Sequence, residues 1–162
     1  MDLTARRATE TDLPAALQLL ADSSAALATE RGGPLFVSRE GVPEPVAEQL
    51  RRWLSDPTRC LAVALAEGVP LGLAIAHLET LRDGDVLARL ELLWVDAGVR
   101  EIGLGGELME LIVAWAHDHG ASHLDAYALP GNREAKNFLE TSGFSARLIV
   151  MTRRLAAPGD RG

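Results

Sequence analysis

The segment that decides the fold of this chain is residues 95–106, Val-Asp-Ala-Gly-Val-Arg-Glu-Ile-Gly-Leu-Gly-Gly. An apolar run at residues 90–95 leads into this segment, and an apolar pattern with helical period begins directly after it. A strand, a glycine-rich turn and a helix start can together bind phosphate, because glycine lets the backbone approach a ligand and the first N–H groups of the helix face the anion. We therefore predict that residues 95–106, named the glycine loop, bind a phosphorylated cofactor.

The glycine spacing excludes the two commonest phosphate-binding loops. A P-loop has Gly, four residues and then Gly-Lys-Ser/Thr; Gly98 and Gly103 have this spacing, but Leu104 and Gly105 stand at the Lys and Ser/Thr positions. The Gly-x-Gly-x-x-Gly fingerprint of dinucleotide-binding proteins needs a third glycine where this chain has Leu108. The sequence thus argues against a nucleoside triphosphate and against a dinucleotide.

A second motif lies at residues 132–144, Asn-Arg-Glu-Ala-Lys-Asn-Phe-Leu-Glu-Thr-Ser-Gly-Phe. It predicts a helix that begins after Asn132, a good N-cap, and ends at Gly143, which suits a left-handed C-terminal cap. Ala135, one turn in, is small enough for a ligand to lie against the helix. The Arg-x-x-Gly-x-Gly of the glycine loop and this Asn-to-Gly-Phe block resemble, in the same order, the two landmark motifs of the GNAT superfamily of N-acetyltransferases.

The resemblance implies that the cosubstrate is acetyl-coenzyme A, without a metal. It implies transfer of the acetyl group to a primary amine of a small molecule or peptide, by direct attack in a ternary complex. The residues expected to bind acetyl-CoA are the end of the strand before the loop, the loop itself and the start of the second helix: Leu93, Trp94, Val95, Arg100, Glu101, Ile102, Gly103, Leu104, Gly105, Gly106, Asn132, Ala135 and Phe138.

The periodicity along the chain predicts an α/β fold with alternating elements. We expect strands at residues 3–9, 60–66, 71–78, 86–95, 124–129 and 144–155, helices at 11–27, 45–55, 104–117 and 132–142, and a loop at 31–45 that holds three glycines and three prolines. The resemblance implies that these form a mixed, mostly antiparallel sheet of six to seven strands with helices on both faces, splayed centrally at the acetyl-CoA site. One domain would span residues 1–155, followed by a flexible tail at 156–162.

Composition sets limits on partners and location. The 162 residues carry a net charge of −7, so a nucleic-acid partner is not expected. No apolar run reaches the ~20 residues that cross a bilayer, and the N-terminus lacks a signal-peptide pattern. The single cysteine, Cys60, fits a reducing cytoplasm and is expected to be a buried thiol. His117, His119 and His123 are expected to complement the dipole of the preceding helix rather than to bind a metal.

The chemistry of amine acetylation requires a proton acceptor, because a lysine-like amine has a pKa near ~10.4 and must be neutral to attack. Glu91 is the one ionised group in the apolar run Leu-Glu-Leu-Leu and is the first candidate for the base. The alternative interpretation is that the Glu91 carboxylate lies on a solvated face of the sheet or pairs with Arg89 or Arg6. This alternative stays open because a β-bulge in the strand would change the face to which Glu91 points. Glu79 and Asp96 are weaker candidates.

The general acid is where the chain departs from the GNAT pattern. The family's helix usually carries a tyrosine seven residues after the Asn, and Leu139 occupies that position here. Tyr127, the only tyrosine, is the candidate replacement; it can equally be a core residue. A third option needs no acid, because a thiolate with a pKa near ~8.5 is an acceptable leaving group.

Two further interpretations stay open at this stage. The missing helix tyrosine is compatible with a CoA-binding regulatory or partner module with little or no catalysis, and the loop alone is compatible with an α/β domain that has an unrelated anion site. Glu101 inside the glycine loop would repel a pyrophosphate unless it points to solvent or pairs with Arg100. The family resemblance also implies a homodimer, for which the apolar residues 148–151 offer a surface.

Overall fold

The structure, a computed structural model, describes residues 1–159. Within this range it contains five β-strands, β1 (Leu3–Arg7), β2 (Arg59–Ala66), β3 (Val69–Thr80), β4 (Val86–Val95) and β5 (Ala121–Asp125). The α-helices are α1 (Leu13–Leu27), α2 (Gly33–Glu40), α3 (Val46–Leu54), α4 (Leu104–Asp118) and α5 (Arg133–Thr141). Short 3-10 helices at Glu10–Asp12 and Ala97–Ile102 precede α1 and α4.

The strands form one sheet in the order β1-β2-β3-β4-β5. The first three pairings are antiparallel and the β4–β5 pairing is parallel, so the prediction of a mixed, mostly antiparallel sheet is confirmed. The prediction of six to seven strands is wrong, because the described residues form five.

The missing strand is the one predicted at residues 144–155. These residues carry the apolar composition of a strand, but they are extended and exposed and pair with no other strand in the described chain. Strand-like composition alone does not make a β-strand, because the backbone must form hydrogen bonds with an adjacent strand. The strand predicted at 124–129 is β5 instead, which ends at Asp125, and the residues after it leave the sheet. Of the predicted tail at 156–162, residues 160–162 lie outside the described range.

The prediction of an unstructured loop at residues 31–45 is also wrong, because α2 lies within it. Gly32 takes a left-handed conformation (φ 77°), and Pro34 falls in the first turn of the helix, where its missing N–H removes no hydrogen bond. The glycines and prolines therefore mark the beginning of a helix as well as the turns around it.

The two faces of the sheet bury different kinds of side chain. The face under α4 is lined largely by alanines of β2, β3 and β4, which allow the apolar side of α4 to approach closely: Ala62, Ala64, Ala74, Ala76 and Ala88 against Leu104, Leu108 and Ile112. The face under α1 and α3 carries larger residues: Leu61, Val63, Leu73 and Ile75 against Leu13, Leu19, Leu50 and Trp53. The helices predicted on both faces are therefore present.

A β-bulge interrupts the pairing of β4 with β3. Ile75 pairs with Leu92 and Ala76 pairs with Leu90, which leaves Glu91 as the extra residue. Before the bulge, Leu90 points to the α4 face; after it, Leu93 takes that face, and Leu92 lies on the opposite one. The bulge thus exchanges the faces to which the alternating residues of β4 point.

Cys60 is fully buried in β2, as expected for an inert thiol, and burial raises its pKa to about 11. No helix among residues 1–159 is long and apolar enough to cross a membrane.

The N-terminal strand is tied to α1 by a carboxylate that is buried at the beginning of the helix. Asp12 accepts hydrogen bonds from both terminal nitrogens of Arg6, at 2.7 and 3.0 Å, and from the backbone N–H of Thr9 at 2.7 Å. The hydrogen bond from Arg6 lowers the pKa of Asp12, with the N–H of Thr9 adding to it, against the opposing effect of burial. The ionised form is therefore the one that the fold stabilises.

We predict that Asp12→Asn lowers the free energy of unfolding at pH 7 by about 1–3 kcal/mol, as expected for the loss of charged hydrogen bonds. Because the folded state depresses the pKa of Asp12, its contribution is present above the unfolded value of ~3.9 and disappears as the pH falls below it. Denaturant melts from pH 7 to pH 3 should show the difference between the two proteins shrinking. The control Asp118→Asn, at an exposed position, should change stability by less than about 0.5 kcal/mol; a difference for Asp12→Asn that stays constant with pH would contradict the assignment.

Candidate active site

A cleft of about 570 Å³ opens where β4 and β5 separate. The parallel pairing of the two strands ends at Arg89 and Asp125. Beyond this point, residues 90–95 of β4 and residues 126–129 after β5 line the two sides of the cleft. The predicted splay is therefore present, but it lies between the last two strands of the sheet and not at its centre. It also leaves one edge of β4 without a hydrogen-bonded neighbour, so backbone N–H and C=O groups face the cleft.

The glycine loop closes one end of this cleft. After the 3-10 helix Ala97–Ile102, Gly103 takes a left-handed conformation (φ 101°) that allows the chain to turn directly into α4. The beginning of α4 has no side-chain cap, and its first N–H with a helical acceptor is that of Glu107, bonded to the Gly103 carbonyl at 3.2 Å. The N–H groups of residues 104–106 have no such acceptor and form the donor end of a helix dipole. This arrangement fits a pyrophosphate group.

Gly105 faces the gap between α4, α5 and β4, in which a Cβ atom would make ordinary van der Waals contacts. A Cβ atom on Gly105 would lie 3.5 Å from the ring of Phe138 and 3.8 Å from Leu93, whereas one on Gly106 would meet nothing within 4 Å. Any larger side chain at position 105 would fill the gap between α4, α5 and β4. Gly103, Gly105, Gly106, Leu93 and Phe138 all line the cleft, as predicted from the sequence.

The charged residues of the glycine loop have their own partners. The Arg100 guanidinium lies 4.3 Å from the centre of the Trp94 ring, and its Nε donates to the Val95 carbonyl at 3.1 Å. Its terminal nitrogen is 4.0 Å from a Glu134 carboxylate oxygen. Arg100 therefore braces the loop against the end of β4. Glu101, whose charge opposes an anion, is exposed and does not pair with Arg100.

Two residues of the predicted cofactor set do not line the cleft. Leu104 is fully buried beneath α4, and Ile102 packs against the same core. Both side chains point inward because they anchor the loop to the sheet. Their backbone groups remain part of the glycine loop, but their side chains do not reach the ligand side.

Asn132 joins the second motif to the far end of α1. Its Oδ1 accepts a hydrogen bond from the Ala135 N–H at 3.0 Å and so caps α5, as predicted. Its Nδ2 donates to Glu30 Oε1 at 2.8 Å. The other carboxylate oxygen of Glu30 is buried and has no hydrogen-bond partner in the described chain. Asn132, Ala135 and Glu30 all line the cleft.

Glu91 lies on the floor of the cleft and forms ion pairs. Its side chain is 18% exposed, and its Oε1 is in contact with His77 Nδ1 and 3.3 Å from Arg59 Nη1. The Arg59 guanidinium in turn lies 3.8 Å from the centre of the Trp53 ring, which holds it in place. The partners considered from sequence are engaged elsewhere: Arg6 pairs with Asp12, and Arg89 with Glu79 at 3.5 Å.

The weaker candidate bases are less suited to this role. The Asp96 carboxylate accepts the Gly98 N–H at 2.9 Å and caps the 3-10 helix of the glycine loop. The Glu79 side chain is 46% exposed and lies outside the cleft lining.

Tyr127 lies on the opposite side of the cleft, in the segment that follows β5. Its ring meets Phe36 of α2 edge to face, with centroids 5.5 Å apart, and lies 5.4 Å from the Arg89 guanidinium. Its hydroxyl is buried without a hydrogen-bond partner among residues 1–159. A buried hydroxyl without a hydrogen-bond partner is uncommon in native proteins. Leu139, at the usual tyrosine position, also lines the cleft.

Sequence reasoning missed three residues around the site: Glu30, Arg59 and His77. Glu30 lies far from Asn132 in the chain, so no local pattern joins the two residues. Arg59 and His77 reach Glu91 through strand register, since Arg59 pairs with His77 across β2 and β3. An alternating pattern in which His77 continues the inward face of β3 was the one signal present in the sequence.

The histidines predicted at the end of α4 do not form a cluster. His119 Nδ1 lies 2.8 Å from the Trp115 carbonyl, and His117 and His123 are exposed. Within residues 1–159, no group of three or more His, Cys, Asp or Glu side chains is arranged to hold a metal ion.

Comparison with solved structures finds the same fold in several proteins, including named acetyltransferases. A transcriptional regulator from Bacillus halodurans matches with a TM-score of 0.75 at 21% identity, covering 95% of this chain and 100% of that one. Glucosamine-6-phosphate N-acetyltransferase from Arabidopsis thaliana matches at 0.71 and 18% identity, over 96% and 100%. AAC(6')-Iy in complex with a bisubstrate analogue of CoA matches at 0.73 and 18% identity, over 97% and 100%. At sequence identities this low, the structural similarity shows a shared fold alone and not a shared function.

A search of curated protein sequences gives no match. A family-wide sequence profile, that of the Acetyltransferase (GNAT) family, matches residues 26–144, which include the glycine loop, the splayed strands and α5. The chain therefore belongs to the GNAT family of acetyltransferases.

Proposed function

We propose that this protein is an acetyl-CoA-dependent N-acetyltransferase that acylates a primary amine of a small molecule or peptide by direct attack in a ternary complex. One observation carries the proposal: two groups lie in the same cleft, at the two ends of the stretch of β4 that has separated from β5. At one end is the uncapped start of α4, and at the other is the Glu91 carboxylate. An anion-binding end and a proton-accepting end are the two parts that the reaction requires.

The cosubstrate fits the glycine-loop end. The free N–H groups of residues 104–106 would bind the pyrophosphate, and the unpaired edge of β4 at Leu93, Trp94 and Val95 would bind the amides of the pantetheine arm. When bound, acetyl-CoA supplies the thioester that the amine attacks. Ala135 and Phe138 would line the opposite wall, while Arg100 acts by bracing the loop.

Glu91 is proposed as the base that takes the proton of the acceptor amine, directly or through a water molecule. Because Leu90 points to the α4 face, the alternation of β4 directs the Glu91 carboxylate to the face of the sheet under α1 and α3. Arg59 compensates the charge of the carboxylate, and Arg59 and His77 both contact it. The backbone N–H groups at the end of β4 are proposed to stabilise the negative charge that develops on the carbonyl oxygen.

Tyr127 is proposed as the group that protonates the departing thiolate in place of the family's helix tyrosine. Its buried hydroxyl has no partner among residues 1–159, which supports a ligand atom as its partner. Departure of an unprotonated thiolate is the competing mechanism.

The acceptor side supports a cationic or polar amine. Two carboxylates, Glu30 and Glu91, and two aromatic rings, Phe36 and Tyr127, line this part of the cleft. The structural relatives named above include an enzyme whose name specifies an amino sugar, glucosamine-6-phosphate. We further propose that the enzyme acts in the cytoplasm, where its one thiol stays reduced, and that its active form is a homodimer.

We predict that Gly105→Glu weakens CoA binding at least tenfold, because the new side chain fills the gap beside Phe138 and places a negative charge at the pyrophosphate site. Isothermal titration calorimetry with CoA measures the effect. Ala114→Glu adds the same charge at an exposed position of the same helix and should leave the affinity unchanged. Equal affinities in the two variants would show that the glycine loop does not bind CoA.

We predict that Glu91→Gln lowers kcat for amine acetylation by about 10²- to 10⁴-fold, the usual range for removal of a general base. Thiol-release assays with a panel of amino sugars, aminoglycosides, polyamines and peptides would first identify the acceptor. The control Glu79→Gln removes a carboxylate that lies outside the cleft and should retain activity. If Glu91→Gln turns over at the wild-type rate throughout the pH range, another group is the base. If the wild type binds CoA but acetylates no amine, the protein is instead a CoA-binding regulatory module.

We predict that Tyr127→Phe lowers kcat with little change in KM for acetyl-CoA, because the lost hydroxyl acts on the leaving group. Leu139→Tyr in this background, which restores a tyrosine at the usual family position, should recover part of the rate. A Tyr127→Phe enzyme with unchanged kcat would indicate that the thiolate leaves without an acid.

A further inference from the structure

The acetyl transfer proposed above leaves one proton to be removed from the cleft. The acceptor enters as an ammonium ion, since a lysine-like amine has a pKa near ~10.4. Its nitrogen loses two protons as it forms the bond to the acetyl carbon, while the bond from that carbon to sulfur breaks. One proton reaches the departing thiolate, and the other belongs to neither product. The base that takes this other proton must release it before the next turnover.

Glu91, the proposed base, lies where the two substrates would separate it from solvent. Its side chain lines the floor of the cleft and is 18% exposed. The same cleft is lined by Leu93 and Trp94, along which the pantetheine arm is proposed to lie, and by Phe36 and Tyr127 on the acceptor side. A route that avoids the cleft would let the proton leave Glu91 while both substrates are bound.

His77 connects Glu91 to solvent on such a route. It lies on β3, outside the residues that line the cleft, and its Nδ1 is buried in contact with Glu91 Oε1. The side chain is nevertheless 23% exposed. Within residues 1–159 its Nε2 forms no hydrogen bond and is not buried. One ring nitrogen therefore faces the base, and the other is open to water.

The charged neighbours of His77 cannot carry a proton in its place. Arg59 of β2 and Arg89 of β4 pair with His77 across the sheet, so the three side chains share one face. Arg59 lies 3.3 Å from Glu91, and Arg89 pairs with Glu79 of β3. A guanidinium stays protonated in proteins, whereas an imidazole takes up and releases protons near neutral pH. Of the two side chains that contact Glu91, His77 is therefore the one that can accept its proton.

We propose that His77 carries to solvent the proton that Glu91 takes from the acceptor amine. In the tautomer with its proton on Nε2, the Nδ1 lone pair faces the Glu91 carboxyl group and accepts the proton from Oε1. A half-turn about the terminal torsion of Glu91 exchanges its oxygens, so either oxygen can receive the proton of the amine. The Nε2 proton then passes to water, and exchange with water restores the starting tautomer. This role rests on the proposed acetyl transfer and adds the proton exit to the same site.

Replacing His77 by asparagine separates proton transfer from positioning of the base. The amide of His77→Asn can still donate a hydrogen bond to the Glu91 carboxylate, but it cannot take up and release a proton. In a dilute, bulky buffer we expect kcat for amine acetylation to fall about tenfold or more, because proton transfer becomes slow. The KM values and the affinity for CoA, measured by calorimetry, should stay unchanged. Added imidazole should restore most of the lost rate in the variant without accelerating the wild type.

Two further variants complete the experiment. His117→Asn removes an imidazole that is 88% exposed on α4, and it should keep the wild-type rate in dilute buffer. His77→Gln carries the same expectation as His77→Asn and takes its place if thermal melts show that the asparagine variant is unfolded.

Three results would overturn this role of His77 and leave the proposed function standing. The first is a His77 variant with the wild-type rate in dilute buffer. The second is a lost rate that imidazole does not restore, which would show that His77 only holds Glu91 in place. The third is an equal acceleration of wild type and variant by imidazole, which would mean that free imidazole acts on the amine directly. A wild type that binds CoA but acetylates no amine would overturn the proposed function and the proton exit together.

Discussion

The bulge at Glu91 is the constraint on which the site depends. A regular β4 would keep its alternation, and Leu93 and Val95 would then point away from α4. With one extra residue, β4 stays paired with β3 while the faces of its side chains exchange. The same stretch of β4 loses β5 as a neighbour after Arg89. The separation of the strands opens a cleft between β4 and β5, with the Glu91 carboxylate at its floor, and the bulge directs Leu93 to the α4 side of that cleft.

Two interactions hold the ends of this cleft in place. At one end, Arg100 stacks on Trp94 and bonds to the Val95 carbonyl, which fixes the glycine loop to the strand that leads into it. At the other, Trp53 holds Arg59 beside Glu91. In both interactions an arginine side chain packs against an aromatic ring, and this contact positions its charged group next to apolar surface. The arginine that the sequence motif marks thus has a structural role that the motif does not reveal.

The packing of α4 explains why the alanines cluster on one face of the sheet. Small side chains at positions such as Ala62, Ala74 and Ala76 let the helix approach closely, and Gly72 does so further: a Cβ there would lie 3.1 Å from Leu108. A close helix places its own N-terminus, and with it the free N–H groups, at the level of the splay. The position of the proposed anion site therefore depends on the small size of these core residues, although they do not contact the ligand themselves.

The sequence by itself determined the local features: the glycine loop at the start of α4, the Asn132 cap of α5, the helices on both faces and the buried Cys60. These depend on residues within a few positions of each other or on the alternation of apolar side chains, so a linear pattern contains them. Only the tertiary structure decided the rest. The partners of Glu91 follow from the register of three strands, and the Glu30–Asn132 bond joins residues about a hundred positions apart. Residues 144–155 have the composition of a strand but pair with no strand among residues 1–159. A β-strand forms only beside another strand, and the sequence of a segment does not specify which strand will lie next to it.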